Sequence, residues 1–219
     1  MQSLIKKFTP HFLKFWFWQK YLNIKFSKQN YLGRRIVFSK DTIIGKQCKI
    51  GNDAILGKYI IIGDNVTIGN GAIIENLQID NNSCIESKVI CTGYGTGKIK
   101  IGQNSYIGLY NILDWSNDIT IGDFVHIAGP STGLWTHSSA KMCLNSIPLN
   151  NKSEEFRPTA PIIIESNVYI GGNCTIYPGV TIGHHSIVVP NSVVAKKVGP
   201  YSMVGGVPAK FIKTLQPNS

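Results

Sequence analysis

Charge is scarce in this sequence: Asp, Glu, Lys and Arg make up 16% of 219 residues, against 43% hydrophobic residues. That balance excludes a disordered chain. Long apolar runs are also missing. The strongest near the start, Phe15 to Trp18, has lysines on both sides, and nothing approaches the roughly 18 apolar residues of a membrane span. No apolar stretch leads to a small-residue cleavage site, so no secretory leader is expected. The five cysteines (Cys48, Cys84, Cys91, Cys143, Cys174) include no C-x-x-C pair. Reduced thiols in a cytoplasmic protein are expected, not a disulfide or zinc framework. Acid is wholly absent from residues 1–40, which hold nine of the 22 Lys and Arg residues and leave 13 bases against 12 acids beyond. The net charge of +10 is thus a property of an N-terminal arm, and no nucleic-acid partner is expected.

What the sequence does have is a period of six. An aliphatic residue recurs at Ile44, Ile50, Leu56, Ile62, Ile68 and Ile74, followed by glycine in five of the six cases. The same count returns at Ile164, Ile170, Ile176, Ile182, Val188 and Val194. Six fits neither a helix nor a simple alternating strand. It fits a short strand and a turn, repeated. The residue four places on is small or β-branched (Cys48, Ala54, Val66, Ala72), and being two before the next aliphatic residue it shares that residue's strand face. Each hexad sends two side chains inward, with glycine, or Asn and Asp a little later, supplying the positive φ of the turn. A parallel β-helix with Ile/Val ladders in its core is expected, not a sandwich, which has no reason to keep a count of six.

These hexads resemble those of the hexapeptide-repeat acyltransferases. The run from Asn167 to Lys213 is similar to the end of the maltose/galactoside-type, xenobiotic-type and polysaccharide O-acetyltransferase branch. The resemblance implies an all-β, left-handed parallel β-helix, a homotrimer with active sites between neighbouring subunits, and acetyl-CoA as co-substrate without a metal. The expected organisation is a basic aromatic arm or cap at 1–42, a β-helix at 43–205 with an active-site loop at 130–161, and a short C-terminal capping helix and tail at 206–219 with Pro208 in its first turn.

Within the loop, His137 stands where the resemblance places the catalytic histidine, though Ser138 follows it where the branch has Asp or Pro. A sugar hydroxyl is a poor nucleophile, and a neutral imidazole can take its proton during attack. Asp114 falls where relatives place an acceptor-binding or histidine-orienting carboxylate. His126, on a coil, is the alternative base. Trp115 and Trp135 are read as substrate-binding. By the same resemblance CoA is assigned to Tyr169, Gly171, Gly172, Pro190, Ala195, Lys196 and Lys213. Tyr169, Pro190 and Ala195 depart there from the branch's Trp, small residue and Thr. Gly93-Tyr94-Gly95-Thr96-Gly97-Lys98 lacks the flanking residues of a phosphate loop and reads as a break between coils. No H-x₄-H spacing supports a zinc site.

The expected activity is acetyl transfer from acetyl-CoA to a sugar hydroxyl of a capsule- or O-antigen-type polysaccharide or its precursor. The alternatives are N-acetylation of an amino sugar and a non-catalytic β-helix scaffold. The aromatics and lysines of residues 1–30 fit either a cap on the first coil or a peripheral contact with the inner face of a membrane.

Overall fold

The computed structural model describes residues 17–151 and 153–216. Most hexads form a two-residue strand whose first side chain faces out and whose second faces in, as in Ile43–Ile44, Lys49–Ile50 and Ile55–Leu56. In the regular coils the parallel partner lies 18 residues on (Lys49↔Thr67, Ile50↔Ile68), so three hexads make one turn. Successive turns build three sheets of ten, eight and seven strands around one core, parallel except at the last pair of the first. This is the β-helix that the period of six implies, and the spacing fits the left-handed form.

The core is a set of ladders. Ile50, Ile68, Ile85, Ile107 and Ile127 stack along the ten-stranded sheet, each at most 1% exposed. Burying a side chain of this size contributes about 1.5–3 kcal/mol, so the stack holds most of the stability. The residues two positions before, among them Cys48, Ala54, Val66 and Ala72, fill the corners and are also buried. All five cysteines are free, and burial pushes the Cys91 thiol up to about 12.

The turn chemistry follows the second of the two expected routes, Asn and Asp a little later, and not the first. Positive φ falls three residues after the aliphatic position, at Gln47, Asp53, Tyr59, Asn65 and Gly71, and not at the glycine that follows it. Asn tolerates that conformation best among residues with a side chain, and Asn65 also donates its amide to Asn82 on the next coil at 3.0 Å. The glycines answer a different constraint. A Cβ on Gly51 would lie 2.6 Å from the Asn70 backbone nitrogen and 2.7 Å from the Gly69 carbonyl carbon. Coils stack too closely at this corner for any side chain. Gly51→Ala is expected to cost about 1–3 kcal/mol, the usual range for overpacking, measured as a lower midpoint in denaturant unfolding.

Four boundaries also differ. The solenoid begins well before residue 43: Lys25 bridges Ile43, and strands Tyr31–Leu32 and Val37–Phe38 pair with the following coil. Counting back in sixes from Ile44 gives Phe38, Leu32 and Phe26, so the period was present but carried at two of its three positions by phenylalanine. Ahead of this coil, Trp18 packs edge-on against Phe38 at 5.0 Å. The expectations for Phe12, Leu13, Lys14, Phe15 and Trp16 lie outside the described residues.

The expected loop 130–161 is shorter, because Gly133–Leu134 keeps its place in the eight-stranded sheet between Ile112–Asp114 and Thr175–Ile176. A coil beginning at Ile90 takes 22 residues to return, Ile90↔Ile112, and so absorbs the glycine-rich break.

The expected C-terminal helix is a strand, Lys210–Thr214, antiparallel to Ser202–Gly205. The last parallel strand presents unpaired backbone groups. Phe211, Ile212 and Thr214, aromatic and β-branched, suit a strand that pairs with them. Among the described residues no helix is long and apolar enough to cross a membrane.

Candidate active site

The strand Ile112–Asp114 points Leu113 into the core, so alternation should turn Asp114 to solvent. Asp114 is nevertheless only 1% exposed. The chain leaving Gly133–Leu134 folds over it and surrounds the carboxylate with donors. Its Oδ1 accepts from the Ser116 hydroxyl at 2.6 Å and the Ser116 amide at 3.1 Å. Its Oδ2 accepts from the Thr136 amide at 2.9 Å, the His137 amide at 3.1 Å and the His137 Nδ1 at 2.6 Å.

The Thr136 hydroxyl donates to the Asp114 carbonyl at 2.6 Å and accepts from the Asn117 amide at 2.9 Å. Burial acts most strongly on this carboxyl and would raise its pKa. The bonds from Ser116 and His137 together outweigh it and hold Asp114 below the usual carboxylate range.

This arrangement fixes the tautomer of His137. Nδ1 carries its proton toward a charged carboxylate, which leaves Nε2 with a free lone pair. The ring keeps 23% of its surface exposed, so the lone pair can be reached. The neck of the excursion is closed behind it: His137 bridges Thr159, Ala160 N–H donates to the Thr136 carbonyl at 2.9 Å, and the Asn117 side-chain Nδ2 donates to the Thr159 hydroxyl at 2.9 Å. Beyond the neck lie the short helix Ala140–Leu144 and a return to Ile162–Ile164.

The glycine-rich break reaches this site. Gly95, at φ +130°, passes so close to Ser116 that a Cβ there would lie 2.5 Å from its carbonyl oxygen. The Tyr94 amide donates to the Ser116 hydroxyl at 3.2 Å, and the Tyr94 ring stands edge-on to His137 at 5.1 Å. Tyr94, Ser116 and Thr136 carry no role in the sequence expectations. The spacing Asp-x-Ser at 114–116 and the conformational demand of Gly93 and Gly95 were the available signals.

The other expected residues are dispersed. His126 is exposed and stacked between Tyr106 and Tyr169, with centroids 4.5 Å and 5.5 Å away, on the outer face of the ten-stranded sheet. Asp114 and His137 instead follow strands of the eight-stranded sheet. Trp115 rests against the core with Nε1 buried and unpartnered. Trp135 covers Gly133, whose Cβ would meet its indole at 2.5 Å.

Gly171 lies under Pro190, and Gly172 under the Gly129 carbonyl, each leaving no room for a Cβ. Ala195 and Lys196 follow Val193–Val194, two coils along the same sheet from Gly133–Leu134. Lys213 is exposed on the C-terminal strand opposite Met203. No group of His, Cys, Asp and Glu suited to a metal occurs among the described residues.

The family profile described as bacterial transferase hexapeptide (six repeats) matches residues 41–76 and 161–196. A hexapeptide-repeat-containing acetyltransferase from Vibrio cholerae is 32% identical, over 65% of this chain and 75% of its own, with a TM-score of 0.49. The chain belongs to the hexapeptide-repeat transferase family. This hexapeptide-repeat protein is also similar to galactoside O-acetyltransferase of Escherichia coli K12, at 32% identity over 137 residues, 63% of each chain. The structure of a galactoside acetyltransferase in complex with coenzyme A aligns at 28% identity and a TM-score of 0.52, covering 64% of this chain and 66% of that one. A chloramphenicol acetyltransferase of Escherichia coli is 39% identical over 80 residues, 36% of this chain and 38% of its own. The chain thus spans less than two thirds of these two curated relatives.

Proposed function

We propose that this protein transfers an acetyl group from acetyl-CoA to a hydroxyl of a saccharide, a surface polysaccharide or its precursor, in the cytoplasm. The Asp114–His137 pair carries the reading: a buried carboxylate orients an imidazole whose other nitrogen is open to a substrate. His137 Nε2 takes the hydroxyl proton as the oxygen attacks the thioester carbonyl. Asp114 steadies the imidazolium that forms, and the proton leaves with the CoA thiolate. The kinship with galactoside acetyltransferases supports both the donor and the acceptor class.

A homotrimer suits the geometry. The CoA-assigned residues are divided between two faces of one prism, Tyr169 on the ten-stranded sheet and Ala195 and Lys196 at the end of the eight-stranded one. A cleft between neighbouring copies would reunite them. Val37, Ile55, Ile73 and Ile90 form an aliphatic ladder on the outer face of the eight-stranded sheet, each 37–42% exposed, and association would cover it. Lys196 and Lys213 are exposed cations for the CoA phosphates, while the crowding at Gly171 and Gly172 gives these glycines a structural cause of their own. Phe17 and Tyr21, stacked at 5.2 Å and exposed, are available for contact with a membrane surface.

Two measurements test the reading. CoA at about 100 times its Kd should raise unfolding free energy by ~2.7 kcal/mol; an unchanged melting curve at millimolar CoA argues for a scaffold. A CoA-release assay across neutral, amino and acidic sugars should then find a hydroxyl acceptor.

A further inference from the structure

Beside His137 the structure holds a cation without an anion. The Arg157 guanidinium lies over the Tyr94 ring, its central carbon 3.8 Å from the centroid, and Tyr94 is the residue set edge-on against His137. The salt bridges among the described residues are Arg35–Asp53 and His137–Asp114, so no carboxylate answers Arg157. Its Nε is buried without a hydrogen-bond partner, and so is the Tyr94 hydroxyl. Burying such donors unpaired is costly, more so for a charged one. Cation–π stacking steadies the guanidinium plane and leaves the N–H fork unused. A planar fork fixed over an aromatic matches the two oxygens of a carboxylate or phosphate.

A cleft of about 320 Å³ is lined by Thr96, Lys98, Lys100, Asp118 and Thr120. Lys100 and Thr120 are register partners on the outer face of the seven-stranded sheet, and Thr96 is two residues from Tyr94. Asp118 Oδ1 accepts from the Lys98 amide at 2.9 Å. Two lysines against one carboxylate leave the cleft cationic by one charge.

We infer that the acceptor is an anionic saccharide whose carboxylate or phosphate is held by Arg157 over Tyr94, with its continuation lying along Lys98 and Lys100. This rests on the proposed transfer at His137 and narrows its substrate. The fork fixes the anion, and a hydroxyl of the same or the neighbouring sugar is thereby presented to His137 Nε2.

The test pairs acidic oligosaccharides, carrying hexuronate or nonulosonate carboxylates, with their carboxyl-reduced counterparts. Nucleotide-linked neutral hexoses form a third arm. CoA release is measured for wild type, Arg157→Gln and Arg157→Lys, and binding of the same sugars is measured by calorimetry. The expected wild-type result is a kcat/KM at least tenfold higher for an anionic acceptor than for its neutral counterpart. Preference for the acidic sugars assigns the anion to a sugar carboxylate, and preference for the nucleotide-linked hexoses to a diphosphate. Arg157→Gln should raise KM for the anionic acceptor about tenfold or more and abolish the preference, with the CoA-induced melting shift intact and Arg157→Lys partly restoring it. Lys98→Ala should weaken longer anionic oligosaccharides more than monosaccharides. Equal use of charged and neutral sugars, or an equal loss on all acceptors in Arg157→Gln, overturns the inference. If no sugar is acetylated but anionic sugars bind through Arg157, the proposed transfer fails and the anion site stands. If they bind equally to Arg157→Gln, the anion site fails.

Discussion

His137→Ala lowers kcat by about 10²–10⁴-fold, the range contributed by a positioned general base, and leaves CoA affinity unchanged. The imidazole supplies one free lone pair at Nε2, and nothing else near it duplicates that role. The Ser116 hydroxyl spends its proton on Asp114 at 2.6 Å, and the Tyr94 phenol is buried. The side chain is partly exposed and stands at the neck of a loop, outside the stacked core, so its truncation leaves the solenoid intact. Single-turnover CoA release beside a CoA melting titration separates these effects. A mutant within a fewfold of wild type would move the base elsewhere, with His126 the next residue to test.

Asp114→Asn acts on both rate and stability. The amide oxygen settles on the side of Thr136 and His137, where three nitrogen donors meet it, and the NH₂ is then turned toward Ser116. The Ser116 hydroxyl can rotate to accept, but the Ser116 amide loses its acceptor. One buried donor left unpaired costs about 1–3 kcal/mol. The charge that steadies the imidazolium is also gone, so kcat falls by about 10²–10³-fold even with the tautomer kept, within the range a general base contributes.

The pH dependence has a definite sign. Asp114 is held below the ordinary carboxylate range in the folded chain. Its stabilisation is complete above about pH 4, near the value for a free carboxylate, and is lost as pH falls through the lower folded value. In Asp114→Asn this acid-side loss is absent, and the unfolding free energies of the two proteins converge below pH 4. Parallel curves for mutant and wild type through that range would count against the account of the site.

Much of this was readable from the residues. The count of six at Ile44–Ile74 and Ile164–Val194 dictates two inward side chains per hexad, and any closed core with that count has to be a coil. His137 stood out because the count breaks around it and the family resemblance places a histidine there; Asp114 was legible through the resemblance alone. Turn mechanics were less legible. Glycine after the aliphatic residue looks like a conformational requirement, but its cause is the backbone of the next coil, which has no local signature. The first coil was hidden by Phe26 and Phe38 standing where isoleucines were being counted. At the other end, Pro208 and a lysine-spaced apolar segment suggest a helix as readily as a strand; only the open edge of Ser202–Gly205 decides between them. The share of Tyr94 and Arg157 in the site depends on contacts across long sequence separations, which no spacing discloses.

The three-hexad turn sets the arithmetic of insertion and deletion for this scaffold. Loss of six residues from a regular coil would rotate everything downstream by a third of a revolution, delivering each side chain to the wrong wall. Loss of eighteen merely shortens the column by one storey and returns every later residue to its own wall. Length in the regular coils is therefore quantised, whereas a corner excursion such as the 22-residue coil from Ile90 to Ile112 absorbs extra residues and still returns the chain to its own wall.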